Sequence, residues 1–262
     1  MTARVIVFTD LDGTLLDHES YGYAPALPLL SRLRAAGIPL ILASSKTAAE
    51  IAPLRADLGF ADCPAIVENG AGLLPAGQTR PRAARTHDRI RAALAALPAG
   101  LRPRFAGFSD WSAADLSRRT CLGPEAALRA QDRDFSEPGV FSGSAAERAA
   151  FLRALADAGI TAEAGGRFLT LSFGASKADR MAEVVAGYGA GAVTVALGDA
   201  PNDLAMLNAA DHAVIVPNPA HPGLPRQPGE AAGRIRRAPF PGPAGWAAAL
   251  GALLDELNTP AG

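Results

Sequence analysis

Four short clusters in this 262-residue chain carry residue types that do chemistry. The first is Asp10-Leu11-Asp12-Gly13-Thr14. In extended chain, residues i and i+2 project the same way, so both carboxylates reach one site. An Asp-Gly turn accounts for Asp12 and Gly13 but leaves Asp10 without a reason. The second, Ser44-Ser45-Lys46, offers hydroxyls, backbone N–H groups and an ammonium at the start of a helical pattern, which makes an anion site. Ser45 or Thr47 ahead of Glu50 also has the look of a capping box. The third is Lys177. The chain holds 25 basic residues, and only Lys46 and Lys177 are lysines. A sequence that uses Arg wherever any surface cation suffices has a reason for a compact point charge at those two places. The fourth is Gly198-Asp199-Ala200-Pro201-Asn202-Asp203. Asp199 and Asp203 supply oxygen ligands for a hard cation and Asn202 an amide. Mg²⁺ suits them, since it takes one or two carboxylates and completes its octahedron with water and substrate phosphate.

These clusters need elements that bring them together. Arg4 to Thr9 is a short, β-branched, apolar run that stops at Asp10, as a strand buried on both faces does. Helix patterns at Ala24 to Ala36 and Thr47 to Leu58 alternate with strand candidates at Ile38 to Ala43 and Ala65 to Val67. Val193 to Leu197 and Ala213 to Val216 repeat the pattern around a helix at Asn202 to Ala209. Strand alternating with helix predicts βαβ units and a parallel sheet, whose carboxyl edge forms the binding crevice. All four clusters fall on that edge or at the start of a helix beside it. The stretch between is different. The strand candidates Arg104 to Phe108, Phe135 to Phe141, Ile160 to Glu163 and Phe168 to Ser172 are partly polar, as in an antiparallel sheet open on one side. Helix patterns lie at Asp88 to Leu97, Ser112 to Gln131 and Ser144 to Ala158. The expected fold is an α/β, Rossmann-like parallel core over 1–82 and 174–262, with an α+β unit inserted at 83–173. Pro217 to Pro243 is expected as a loop with a short strand near Ile235, and Trp246 to Leu257 as a closing helix.

Composition excludes several classes. With 25 basic against 26 acidic residues and a net charge of −1, there is no global field to draw in nucleic acid or an anionic membrane. No run has the length of a membrane span, and the first 30 residues lack a secretory pattern. Cys63 and Cys121 stand in no CxxC and beside no His pair, so they are expected as reduced thiols in a cytoplasmic protein rather than a zinc site. His18, His87, His212 and His221 show no pairing in sequence and are expected as surface or core residues.

In this order, Asp10-x-Asp12-Gly-Thr, a Ser after the second strand, a downstream Lys and Gly-Asp199-x-x-x-Asp203 resemble the four motifs of haloacid dehalogenase-type phosphatases. The insertion between the Ser and Lys motifs is similar to the C2B cap of the Cof-like sugar phosphatases. Within that group, Ser44-Ser45-Lys46-Thr47 with Glu50, Glu68-Asn69-Gly70-Ala71, Arg133 to Pro138, Gly166-Arg167-Phe168 and Gly-Asp199-Ala-Pro-Asn-Asp203 resemble the mannosyl-3-phosphoglycerate phosphatase family. The resemblance implies Asp10 as nucleophile and Asp12 as the acid that protonates the leaving alkoxide and then activates water. It implies Mg²⁺ between the Asp10 carboxylate, the Asp12 main-chain carbonyl and Asp199, with Asp203 as ligand or behind one. Ser44 and Lys177 would hold phosphoryl oxygens. The implied partner is a small phosphorylated sugar acid. Ser45, Lys46, Glu68, Asn69, Asn202 and two cap arginines, Arg133 and Arg167, are the candidates to bind it, because a guanidinium fork suits a carboxylate. Segments near Gly77 to Pro81 and at Gly174 would hinge the cap. A signalling phosphoacceptor domain, which also uses Asp, Lys and Mg²⁺, needs neither Asp12 nor a lid.

Overall fold

A computed structural model describes residues 5–81, 86–165, 167–189, 191–220 and 222–258. Every residue of β1 (Val5–Thr9) is buried, as its unbroken apolar run requires. After it come α1 (Leu27–Ala35), β2 (Leu40–Ala43), α2 (Ala48–Asp57), β3 (Ala65–Val67) and β4 (Gly72–Leu74). The chain then makes a second layer system: α3 (Thr86–Ala95), β5 (Phe105–Gly107), α4 (Ala113–Thr120), α5 (Pro124–Gln131), β6 (Glu137–Phe141), α6 (Ala145–Asp157), β7 (Thr161–Gly165) and β8 (Phe168–Ser172). It returns through α7 (Lys177–Tyr188), β9 (Val193–Gly198), α8 (Leu204–Ala209), β10 (His212–Ile215), α9 (Pro228–Ala231), β11 (Ile235–Arg237) and α10 (Gly242–Asn258).

The large sheet runs β11-β10-β9-β1-β2-β3-β4 and is parallel except for β4, which pairs antiparallel with β3. β1 lies inside it, with Thr9 opposite Leu42 on one side and Leu197 on the other. That register sets Ser44 and Asp199 one residue beyond the level of Asp10 on either flank. The expected α/β core is therefore present, with an antiparallel edge strand that three residues of sequence did not announce. α10 closes one end of it. Trp246 is fully buried, and its indole Nε1 donates to Thr9 Oγ1 at 3.0 Å, while that hydroxyl donates to the Asp10 carbonyl at 2.7 Å. The last helix thus holds the chain at the end of β1. Among the described residues, no helix is long and apolar enough to cross a membrane.

The smaller sheet runs β5-β6-β8-β7 and is antiparallel throughout. Along β8, burial alternates with the two-residue period of a strand. Leu169 and Leu171 pack with Phe105 of β5 and with Ile90, Leu94, Phe151 and Leu155 from the helices behind. Phe168 and Thr170 face the other way, into a cavity described below.

Two expectations in this unit change. The helix over Ser112 to Gln131 is two helices, because Cys121 ends α4 in a left-handed conformation (φ 64°) and Pro124 disfavours helical backbone at Gly123 before it. The strand expected from Phe135 begins at Glu137, since Arg133 to Ser136 are drawn onto the large sheet's loops instead. Phe135 itself packs in the core of the large sheet, against Gly72, where a Cβ would lie 2.1 Å from its ring. His87 is buried and paired with Glu137, which also accepts from the Ser109 hydroxyl at 2.8 Å. Cys63 is buried and Cys121 exposed, both as free thiols. Gly166 and His221 lie outside the described residues.

Gly70 joins the end of β3 to the start of α7. Its φ is 93°, and a Cβ there would stand 2.1 Å from the Ser176 carbonyl carbon and 2.4 Å from the Lys177 nitrogen. Gly70→Ala should cost about 1–2 kcal/mol for the left-handed backbone and about 1–3 kcal/mol more for overpacking. Gly77→Ala, at φ 68° with nothing within 4 Å, should carry only the first cost. Urea unfolding midpoints measure both, and equal losses would show that the close approach at Gly70 is not limiting.

Candidate active site

The carboxyl edge of the large sheet gathers the expected residues. Asp10 continues the ladder, its N–H donating to the Leu197 carbonyl at 2.9 Å. The chain then doubles back, with the N–H groups of Thr14 and Leu16 donating to the Leu11 carbonyl. This turn needs Gly13 at φ 84°, where a Cβ would sit 2.3 Å from Asn218 Nδ2. Thr14 Oγ1 donates to Asp199 Oδ1 at 3.0 Å, and Asn218 Nδ2 donates to Asp199 Oδ2 at 2.7 Å.

Lys177 opens α7 behind the Ser176 N-cap and is buried. Its Nζ donates to Asp10 Oδ1 and Asp203 Oδ1, both at 2.7 Å. Burial, the largest single influence, pulls this ammonium's pKa down, but Asp10 and Asp203 outweigh it and the net shift is upward. Asp10 moves well above the usual carboxylate range. Burial is the main cause, Lys177 opposes it, and Asp203, Asp199 and Asp12 add to the rise. Asp199 is also raised, by burial first, with the Asn218 hydrogen bond partly offsetting it and Asp203 adding to it.

Asp10, Asp199 and Asp203 each offer an oxygen within 4.8 Å of the others. Buried carboxylates in excess over nearby ammonium groups are a donor set that a hard divalent cation suits. Asp203, expected as a ligand or behind one, is engaged by neighbouring groups. Its Oδ1 accepts from Lys177, and its Oδ2 accepts from the N–H groups of Asp199 and Ala200 at 3.1 Å each. It holds Lys177 and the turn that carries Asp199. Asp10 and Asp199, with Asp203 beside them, are the carboxylates that could hold a divalent cation.

Asp12 pairs with Lys46, whose Nζ stands 3.0 Å from Asp12 Oδ1 and 5.2 Å from the centre of the Tyr21 ring. Burial pulls the Lys46 pKa down, yet Asp12 and Glu50 carry it upward overall. Ser44 is buried, with its Oγ accepting from the Lys46 N–H at 3.3 Å. Thr47 caps α2 in a reciprocal capping box with Glu50. Ser45, Lys46, Asn69 and Asn202 line a cavity of about 510 Å³ whose far wall is built by Phe168 and Thr170 of β8. Asn202 Nδ2 donates to Asn69 Oδ1 at 3.0 Å, so these two are brought together.

Three residues expected to meet substrate are bonded within the protein instead. Glu68 is buried, and its carboxylate accepts from the N–H groups of Asp134, Phe135 and Ser136 and from the Ser136 hydroxyl. It has no lone pair directed at a sugar. Arg133 touches the cavity, but it is only 5% exposed and its guanidinium is engaged by Ser136, Ala130, Ser45 and Glu68. Arg167 donates to the carbonyls of Arg119 and Thr120 at the end of α4, where a cation offsets the helix dipole, and does not line the cavity. Sequence reasoning missed Asn218 and the joint at Arg133 to Ser136. Asn218 follows β10 by three residues, so its position at the sheet's carboxyl edge was the available signal.

Residues 7–91 match the haloacid dehalogenase-like hydrolase family. A glucosyl-3-phosphoglycerate/mannosyl-3-phosphoglycerate phosphatase from Persephonella marina is 31% identical over 274 residues, covering 97% of this chain and 98% of that protein. The chain belongs to that phosphatase's family, among the haloacid dehalogenase-like hydrolases. It is a phosphatase. Solved structures share its fold at low identity. A haloacid dehalogenase-like hydrolase from Bacteroides thetaiotaomicron has a TM-score of 0.67 at 18% identity, covering 95% of this chain and 99% of that one. The sucrose-phosphatase of Synechocystis has a TM-score of 0.58 at 14%, covering 99% of this chain and 100% of that one.

The raised Asp10 and Asp199 set the sign of a metal effect. A carboxylate whose folded pKa exceeds its unfolded value contributes stability at low pH that is lost as pH rises through the folded pKa. Added Mg²⁺ should offset that loss, so the rise in melting temperature on adding it to EDTA-treated protein should be larger at pH 8 than at pH 5. At a hundredfold excess over Kd it corresponds to about 2.7 kcal/mol. Asp199→Asn should shrink the pH 8 rise. Scanning calorimetry checks this, and an equal rise at both pH values in both proteins would contradict it.

Proposed function

We propose that this phosphatase is Mg²⁺-dependent and hydrolyses mannosyl-3-phosphoglycerate to mannosylglycerate and phosphate. The glucosyl ester is the second reading, favoured by the name of the Persephonella relative, which carries both sugars. The observation that carries the proposal is the buried Asp10–Lys177 pair, with Asp12 two residues on and joined through Lys46 to a cavity. An Asp10 oxygen attacks phosphorus and the bond to the glycerate oxygen breaks, leaving an aspartyl-phosphate. Asp12 gives its proton to the departing alkoxide. It then takes one from the water that attacks the same phosphorus, and Asp10 is regenerated with release of phosphate. Lys177 and Ser44 hold the phosphoryl oxygens and offset their charge, which is where most of the rate in phosphoryl transfer arises. When bound by Asp10, the Asp12 carbonyl and Asp199, Mg²⁺ supplies further positive charge to the phosphoryl group.

The cavity lining sets two cations against the carboxylates of Glu50 and Glu163, and the cation beside Asp12 is the group that supports a sugar acid as substrate. Lys46 and Arg133 are the cations among the described residues that line it, and Arg133 is held by Ser136, Ser45 and Glu68. Lys46 is then the residue that takes the glycerate carboxylate, released from Asp12 while Asp12 holds its proton. Asn69, Asn202 and Thr170 offer hydrogen bonds to sugar hydroxyls, and Phe168 an apolar face.

Phosphate release from the mannosyl and glucosyl esters, 3-phosphoglycerate, mannose 6-phosphate and an aryl phosphate, with Mg²⁺ and with EDTA, tests this. The expected result is metal-dependent turnover with one glycosyl ester favoured at least ~10²-fold in kcat/KM. Asp10→Asn should lower kcat by about 10³-fold or more. Comparable slow rates on every ester would overturn the substrate. Lys46→Gln should raise KM about 10–100-fold for the glycosyl esters, the worth of a hydrogen bond to a charged group, and leave that for the aryl phosphate within a few fold. An equal effect on both would remove Lys46 from carboxylate recognition.

A further inference from the structure

The three carbonyls of the Ser44–Lys46 loop each accept a hydrogen bond. The Asn69 N–H donates to the Ser44 carbonyl and the Glu68 N–H to the Lys46 carbonyl, both at 2.9 Å. Between them, Arg133 Nη2 donates to the Ser45 carbonyl at 3.2 Å. The outer two bonds come from the backbone of the large sheet's own loop. The middle one comes from a side chain 88 residues away, in the unit inserted between β4 and α7.

The Ser45 carbonyl and the Lys46 N–H belong to one planar trans peptide, so they point in opposite directions. Arg133 holds the carbonyl end of that plane, and the N–H end donates to Ser44 Oγ at 3.3 Å. A hydroxyl that accepts this bond keeps its own proton to donate elsewhere. We propose that Arg133 is a positioning residue which, through the Ser45–Lys46 peptide plane, orients the Ser44 hydroxyl toward the phosphoryl group. The proposal rests on the phosphatase reading of the site, and it assigns Arg133 a task other than touching substrate.

The surroundings of Arg133 are built for that task. Its Nε donates to the Ser136 carbonyl and hydroxyl at 3.2 Å each, and Nη2 donates to the same hydroxyl at 2.9 Å. Glu68 lies 3.3 Å from Nε and offsets the buried charge. Glu68 is itself fixed by the N–H groups of residues 134–136. A planar fork is needed, because one face of the guanidinium must grip Ser136 while Nη2 reaches Ser45, and a lysine has a single nitrogen to spend on both. A second bridge, from Thr47 Oγ1 to the Arg129 carbonyl at 2.8 Å, holds the loop's other end to the same unit. Docking of the inserted unit is thereby coupled to the geometry of the phosphate loop.

The test uses the full-length chain with Arg133→Met, Arg133→Lys, Ser44→Ala and the double variant Arg133→Met/Ser44→Ala. An aryl phosphate serves as substrate because it lacks both sugar and carboxylate. Inorganic phosphate binding in Mg²⁺, read by titration calorimetry, is followed in parallel. Arg133→Met should lower kcat on the aryl phosphate and weaken phosphate binding, each by about 10–100-fold, the cost of misplacing a contact by a fraction of an ångström. Arg133→Lys, which keeps the charge beside Glu68 and so preserves folding, should fall between wild type and Arg133→Met. In the Ser44→Ala background, Arg133→Met should add less than about threefold, because both act through one hydroxyl. Multiplicative losses in the double variant, or a drop in melting temperature with kcat and phosphate affinity unchanged, would overturn the proposal. So would losses confined to glycosyl-phosphoglycerates, which would make Arg133 a substrate contact. If the wild type hydrolyses no phosphate ester, the phosphatase reading falls, and the phosphate affinities still decide whether Arg133 acts through Ser44.

Discussion

Lys177 is held between Asp10 and Asp203 with no side-chain surface exposed to solvent, and the arrangement of the sheet edge follows from that contact. Removing charges from water is expensive, and mutual attraction repays it only when the remaining lone pairs are satisfied as well. Each neighbouring element supplies part of that satisfaction. The turn after β9 gives two N–H groups to Asp203, Thr14 and Asn218 bond Asp199, and Gly70 lets α7 start close enough to β3 for Lys177 to reach inward. Burial first, and then carboxylates in excess of what Lys177 balances, make Asp10 and Asp199 resist ionisation, and a divalent cation suits such a site. The site is kept short of positive charge, ready for a metal and a phosphoryl group.

The inserted unit meets this edge through a buried polar joint. Glu68 and Asn69 both adopt left-handed backbone, at φ 51° and 58°, which is rare for residues with side chains. That conformation turns their N–H groups to the carbonyls of Lys46 and Ser44 while the Glu68 side chain binds Asp134 to Ser136. Local strain is maintained because it serves two partners at once. The hinge segments expected near Gly77 to Pro81 and Gly174 are therefore accompanied by a third attachment. Any closing motion of the unit must either keep the Glu68–Arg133 joint as its pivot or break several buried hydrogen bonds.

How legible the molecule was depended on the range of the interaction. The strand at Val5 to Thr9, the two helices flanking β2 and the capping box at Thr47 and Glu50 are local patterns, and they stand where periodicity placed them. β4 escaped notice because three residues carry no period. The helix over Ser112 to Gln131 was overrun because a left-handed Cys121 leaves no compositional mark, although Pro124 was in view. Glu68, Arg133 and Arg167 lie in segments that resemble the family, and there residue type says only what a group could bind. A carboxylate and two guanidinium groups fit a sugar acid as well as they fit backbone carbonyls and N–H groups, and nothing in a linear chain says which partner is nearer.

The order of Asp10, Asp12, Ser44, Lys177, Asp199 and Asp203, each set beside a strand end or a helix start, was determined by the sequence itself. Chemistry of that kind resides in residue types at fixed short spacings, and the parallel sheet they sit on follows from alternating periods. Only the tertiary structure decided which charges are spent on one another. It spent Asp203 on Lys177, Glu68 on the turn at 134–136, Arg133 on Ser45 and Arg167 on the end of α4, and it brought Asn218 to Asp199. These pairings span from 26 to 88 residues in chain, or 19 for Asn218, and they are chosen by which groups lose water together when the core closes. That choice is made in three dimensions, and local sequence shows at most which groups stand near the edge where it is made.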